Sequence, residues 1–175
     1  MMPIEIRKKP DTSALLSGIR SLTRMEVLVG VPAENAGRQP EPGEERTLNN
    51  AEIGYVQEFG STIEGPGGHA FTIPPRPHLR PAVADANAPL AVALRKGAEA
   101  ALKGDAEAGE KALHSAGLIA QNAVRNKITE GPFVPLAPAT LQKRRGHGRA
   151  GDRPLIDSGA YRNSISYVIR PKDKP

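Results

Sequence analysis

Apolar positions along the chain follow two periods. From Met25 to Val31 (MEVLVGV) they alternate, which places Met25, Val27, Val29 and Val31 on one face of a strand that Pro32 ends. Ile165 to Ile169 (ISYVI) has the same β-branched character and is that strand's natural partner. Elsewhere the spacing is helical. Asp11-Thr12-Ser13 caps a short helix whose apolar positions are Leu15, Leu16, Ile19 and Leu22. Another helix begins at Asn50, turns Ile53, Val56 and Phe59 inward and closes at Gly60.

The longest periodic stretches follow. Ala82 to Lys103 carries Leu90, Leu94, Ala98, Ala101 and Leu102 near one face, with Pro89 either kinking it or opening a second segment capped by Asn87. Gly104 stops this helix and Asp105 caps the next, which runs to about Thr129 with Leu113, Ala116, Ala120, Val124 and Ile128 as its stripe. So short a connection predicts an antiparallel pair, and the Ala-rich faces predict close approach. Ala139 to Arg144 adds one or two turns, and Asp157 caps a short turn before the last strand.

Between these elements, Ser61 to Pro81 is expected to be non-helical. GPGG (Gly65 to Gly68) is permissive, and the four prolines of IPPRPHLRP (Ile73 to Pro81) favour an extended run. The pattern predicts one α+β domain over residues 1–175: a small, mostly antiparallel sheet packed against a long antiparallel helix pair. Flexible loops are expected at about 33–49, 61–72 and 143–153.

Composition narrows the chemistry. The 18 Gly and 17 Pro imply a loop-rich fold around a thin core, and 3% aromatic residues is too few for a base-stacking surface. The absence of Cys removes disulfides, thiol catalysis and cysteine metal sites. No stretch has the apolar length of a membrane span, and MMPIEIRKKPD lacks the apolar region of a secretory signal, so a cytoplasm-like compartment and no membrane partner are expected.

A net charge of +5 is uninformative until it is placed. Lys143, Arg144, Arg145, Arg149 and Arg153 cluster against Asp152 alone, whereas Glu34, Glu41, Glu44 and Glu45 outweigh Arg38 and Arg46. A solvated basic loop accounts for the first cluster, and contact with DNA phosphates is the competing account. The opposite signs also suggest that Arg144 and Arg145 of one copy meet Glu44 and Glu45 of the next in a ring.

Candidate motifs are few. GHGRAG (Gly146 to Gly151) fits G-x-G-x-x-G without the strand before it and helix after it that a dinucleotide requires, so no cofactor is expected. LIDSGA (Leu155 to Ala160) has the Asp-Ser-Gly order by which a homodimeric aspartic protease presents its carboxylate. The alternative is a structural turn in which Asp157 serves as an N-cap or turn acceptor and Gly159 supplies backbone freedom. His69, His78, His114 and His147 have no ligand spacing and read as surface or loop histidines, with no metal. Pro75, Arg76 and Pro77 read as a stiff connector and as a short recognition segment presenting Arg76 to a partner.

Four stretches in order carry a resemblance: YVQEFGS (Tyr55 to Ser61), IPPRPHLRPA (Ile73 to Ala82), PFVPLAPATLQKR (Pro132 to Arg144) and PLIDSGAYRNSISY (Pro154 to Tyr167), with the helix pair between the second and third. In this order the chain resembles the minor tail, neck (head–tail joining) and tail-completion proteins of long-tailed bacteriophages and prophages, over about Ala51 to Val168. His78 stands where an aromatic is more usual and Ser158 where Thr is common; Pro89 interrupts a helix that relatives tend to keep intact, and the loop before Leu48 is long.

The resemblance implies a structural virion protein without catalysis, assembled in the bacterial host cytoplasm and residing in the tail or neck. It also implies a ring of six or twelve copies with neighbouring tail and connector proteins as partners, and a monomer in isolation. Incidental contact with DNA is compatible with it. The rival classes are a basic DNA-binding module and, behind that, the aspartic protease through Asp157. Arg76 with its prolines and the Arg144–Arg145 pair are the expected interface residues, and Asp157-Ser158-Gly159 the expected structural turn.

Overall fold

The computed structural model describes residues 12–39, 48–64, 70–103, 105 and 107–172. In chain order the elements are α1 (Thr12–Arg24), β1 (Met25–Gly30), a 3-10 turn (Ala33–Asn35), α2 (Asn50–Phe59), β2 (Ser61–Glu64) and β3 (Ala70–Ile73). There follow α3 (Leu79–Asp85), α4 (Asn87–Leu102), α5 (Ala108–Glu130), α6 (Pro138–Gly146), α7 (Ala160–Ser164) and β4 (Ser166–Pro171). The fold is α+β, with a long helix pair beside two small antiparallel sheets. Among the described residues no helix is long and apolar enough to cross a membrane.

β1 pairs antiparallel with β4 in the expected way, from Met25 opposite Pro171 to Gly30 opposite Ser166. Both strands lie against α5, the central helix, whose buried positions include the whole anticipated stripe of Leu113, Ala116, Ala120, Val124 and Ile128. α4 runs antiparallel to it. Gly97 of α4 faces Ala108 and Ala112 near the connection, and Asp85 reaches Lys127 at 3.0 Å near the far end. An added Cβ at Gly97 would stand 2.1 Å from the Ala112 Cβ, so the helices meet backbone to backbone. The seam of α4 is therefore narrower than its apolar pattern implies: Gly97 and Ala101 are buried, while Leu94 and Leu102 are exposed.

A compact apolar centre joins Ala82, Val124, Ile128, Tyr161 and Ile165, with Val29, Val31 and Ile53 packed on its margin. Val124, Ile128 and Ile165 are fully sequestered. Burying each such side chain is worth about 1.5–3 kcal/mol, so this small group supplies much of the apolar stabilisation.

Several expectations need correction. The helix before the pair begins at Leu79, inside the proline-rich run, because Pro81 falls in the first turn, where its missing N–H costs no internal bond. It breaks at Ala86, and α4 then starts with Asn87 as a helical residue rather than a cap. Residues 61–72 are not a loop throughout: Ser61–Glu64 and Ala70–Ile73 form a hairpin, with Ile63 opposite Phe71. Gly60, at φ 77, makes the turn from α2 into it. Similarly, 143–146 is the last turn of α6 rather than loop. Of the 33–49 loop, residues 33–35 form the 3-10 turn, and Glu41, Glu44 and Glu45 lie outside the described residues, as does Asp11.

Candidate functional site

α2 departs furthest from its hydrophobic pattern. Its buried positions are Asn50, Gly54 and Glu58, at i, i+4, i+8 spacing, while Phe59 is 47% exposed. The helix opens with a capping box: the Asn49 side chain accepts from the Glu52 N–H, and the Glu52 carboxylate accepts from the Asn49 N–H. Gly54 leaves room for a phenol, since a Cβ there would lie 2.8 Å from the Tyr161 hydroxyl oxygen. Glu58, one turn further on, is 5% exposed and has its partners twenty residues downstream.

Those partners are the first backbone N–H groups of α3. Glu58 Oε2 accepts from His78 N at 2.7 Å and Leu79 N at 2.9 Å, and Oε1 accepts from Arg80 N at 3.1 Å. One carboxylate thus satisfies the open end of a helix that has no cap from its own His78 side chain. Burial pushes the Glu58 carboxyl up, but the three backbone donors and the nearby His78 outweigh it and hold the group below the ordinary carboxylate range.

His78 is completely buried, against the expectation of a surface or loop histidine. Its Nδ1 lies 2.8 Å from the Arg76 carbonyl, which can only accept, so Nδ1 carries the proton. Nε2 then accepts from the Tyr161 hydroxyl. Burial pushes the imidazole down, against the opposing pull of the Arg76 carbonyl and the Glu58 charge, and keeps it neutral. Burial and the Glu58 charge push the Tyr161 phenol up. The ring of Phe133 stands edge-on to the imidazole, 6.5 Å between centroids.

Arg76 is also buried, 4% exposed, so it is not an exposed side chain offered to a partner. Its Nε donates to the Val134 carbonyl at 2.8 Å, Nη2 to the Pro135 carbonyl at 3.1 Å and Nη1 to Gln57 Oε1 at 3.0 Å. A stretch with prolines at 132, 135 and 138 has few backbone donors of its own, and a guanidinium fork supplies fixed donors to its carbonyls. Burial and the neighbouring Arg144 charge push the Arg76 guanidinium down from its usual value. Pro75 and Pro77 remain exposed on either side. Arg76→Lys keeps the charge but cannot reach three divergent acceptors. It is expected to cost about 1–2 kcal/mol in urea unfolding, and an unchanged midpoint would show that the fork is dispensable.

A cleft of about 340 Å³ opens beside this cluster, with Gln57, Asn50, Tyr161, Arg38, Arg144 and Asp157 among its lining residues. Asn50 donates to the carbonyls of Asn35 and Gly37 at 3.4 and 3.3 Å. On the far wall the Arg144 Nη1 donates to the carbonyls of Gly151, Arg153 and Ile156, while Arg153 Nη1 donates to the Thr129 carbonyl. The basic segment is therefore folded back onto its own chain. Leu155, at φ 62, makes the left-handed turn that brings Ile156 and Asp157 round to Arg144.

Asp157 does not cap the following helix. Its Oδ2 accepts from Arg149 and its Oδ1 faces Arg144 Nε at 3.4 Å, while Ser158 Oγ accepts from the Ala160 N–H and Gly159, at φ 82, is the N-cap residue. The structural turn is present with its roles redistributed. Both oxygens of Asp157 face guanidinium groups, and the residue sits at an exposed turn rather than between apolar strands. GHGRAG is preceded by α6 and followed by irregular chain, the reverse of a dinucleotide site's surroundings. Arg145 is exposed, His114 lies 3.0 Å from the Tyr167 hydroxyl, and His69 falls outside the described residues. Among the described residues no group of three His, Asp or Glu side chains is placed to hold a metal ion. No family model, curated protein or solved structure matches the chain.

Proposed function

We propose that the chain is a structural virion protein that completes a bacteriophage tail or joins tail to head, acting as a ring-forming adaptor without catalysis. One observation carries this reading. The stretches on which the resemblance to tail and neck proteins rests span residues 55 to 167, and each contributes to the same buried polar cluster. YVQEFGS supplies Gln57 and Glu58, IPPRPHLRPA supplies Arg76 and His78, PFVPLAPATLQKR supplies the Val134 and Pro135 carbonyls, and PLIDSGAYRNSISY supplies Tyr161. The residues on which the resemblance rests are thus residues that hold the fold together, as a shared fold would require.

The surface supports the same reading. The chain has three Phe and three Tyr, and Tyr55, Phe59 and Phe71 are 66%, 47% and 62% exposed. The Tyr55 and Phe59 rings pack at a tilt of 48° with centroids 4.9 Å apart, and the Arg80 guanidinium lies over Phe59. Apolar side chains left at the surface of so thin-cored a protein suit a component that is covered by neighbours on assembly.

The test is deletion of the gene in the element that encodes it, followed by negative-stain electron microscopy of the lysate. Separate full heads and tails, or tails with a malformed upper end, are expected. Normal joined, infectious particles would remove the proposal.

A further inference from the structure

Register places Tyr167 and Ile169 on one face of the β1–β4 sheet, and the Tyr167 ring turns that face towards α5. An added Cβ at Gly117 would stand 2.2 Å from the ring, so strand and helix meet closely there. Towards the start of α5 a groove of about 900 Å³ opens between the helix, the sheet and the end of α1. Met25, Leu113 and Ile169 give it apolar surface, and His114 Nδ1 lies 3.0 Å from the Tyr167 hydroxyl on its wall. Arg20 and Arg24 line it one turn apart on α1. Both are exposed, and among the described residues neither guanidinium has a hydrogen-bonded acceptor or a carboxylate partner. Glu110, the carboxylate on the described walls, faces His114 Nε2 at 4.0 Å.

We propose that this groove binds an amphipathic carboxylate, with its head on Arg20 and Arg24 and its aliphatic body on Met25, Leu113 and Ile169. Two guanidiniums on one helix face, a turn apart, can share the two oxygens of a carboxylate. Two arginines against Glu110 leave one positive charge, which one such head balances. A bare anion would leave the apolar surface in water, and a neutral hydrocarbon would leave both guanidiniums without a counter-charge. A molecule carrying both parts meets both needs, and the groove has the size of a small-molecule site. Binding of this kind requires no assembled particle, so the deletion experiment neither supports nor removes it.

The experiment titrates the full, isotope-labelled chain with octanoate, acetate and 1-octanol and follows the backbone amides by NMR. Octanoate is expected to shift the amides of Leu113, His114, Tyr167 and Ile169 saturably. Through butanoate, hexanoate and octanoate the affinity is expected to rise about fourfold per methylene buried. Arg20→Gln/Arg24→Gln is the test variant, and Arg95→Gln/Lys96→Gln on α4 matches its charge change elsewhere. The test variant is expected to bind octanoate about tenfold more weakly, or worse, while 1-octanol stays within about twofold. The control pair is expected to stay within about twofold of the parent for both probes. Should the double variant fold poorly, Arg20→Gln alone, a change at an exposed and unpaired side chain, is expected to cost about threefold.

Equal octanoate affinity in parent and test variant overturns the proposal, because the head then does not rest on the arginines. Acetate binding as tightly as octanoate also overturns it, because the apolar surface then contributes nothing. Shifts confined to other parts of the surface place the ligand elsewhere, with the same consequence. A peptide of alternating Leu and Glu that binds the groove more tightly than octanoate overturns it in favour of an acidic protein partner.

Discussion

Glu58→Ala is expected to destabilise the protein by about 3–5 kcal/mol, measured as the loss of unfolding free energy in urea. The substitution removes the acceptor of three backbone N–H groups and the charge beside a buried imidazole. The first turn of α3 then has no partner for those donors, and the Leu79–Asp85 helix is too short to hold itself. Glu58→Gln retains one acceptor oxygen and is expected to cost about 2 kcal/mol. A loss below about 1 kcal/mol for the alanine variant would show that water replaces the carboxylate at no great cost.

The same site sets a pH dependence. The Glu58 carboxyl is held below its ordinary value of 4.5 in the folded chain, so the unfolded chain takes up the proton first as pH falls. Its contribution is complete above the unfolded value and is lost as pH drops through the folded one. His78 acts in the same direction. Its folded value lies below the ordinary 6.5, so the stability gained by keeping it neutral is present above 6.5 and declines as pH falls below it. The difference in unfolding free energy between the parent and Glu58→Gln is expected to shrink below pH 4.5. A difference independent of pH would mean that the carboxylate charge plays no part.

Gly97→Ala is the second large effect, expected to cost roughly 2–3 kcal/mol although alanine is the better helix former. The new methyl would meet the Ala112 Cβ at 2.1 Å and the Ala108 carbonyl at 3.0 Å, atoms of a helix that cannot yield by changing a rotamer. The two helices must part, which opens the seam along Ala101 and Ala108. Ala112→Gly on the same background is expected to recover most of the loss, as removing the opposing methyl restores the approach. Failure of this pair to compensate in thermal unfolding would place the clash elsewhere.

How legible the fold was depends on distance along the chain. The α5 stripe and the β1–β4 pairing follow from period alone, because an apolar residue at every turn or every second position leaves one face to bury. α2 misled because its inward face is Asn50, Gly54 and Glu58, residues that are buried for their partners rather than for their hydrophobicity. Period cannot reveal that His78 meets Tyr161 across 83 residues or that Arg76 reaches Val134 across 58. The proline run suggested an exposed arm, and extended chain does separate β3 from α3. What it presents inward, however, is a guanidinium whose acceptors lie in another proline-rich segment. A local signal existed for one feature only: Asn49 followed three residues later by Glu52 marks the start of α2.

The cluster also sets a clock for biosynthesis. Its members enter the chain at positions 58, 76, 78, 134 and finally 161, so it closes only after the segment that carries Tyr161 has left the ribosome. Until then α3 can be capped by Glu58, but the imidazole of His78 lacks its phenol and the apolar centre lacks Tyr161 and Ile165. Contacts of such long separation close slowly, and an unfinished chain cannot settle into the native arrangement. Commitment to the final shape therefore waits for Tyr161, and a chain that ends before it leaves the His78 imidazole without its phenol.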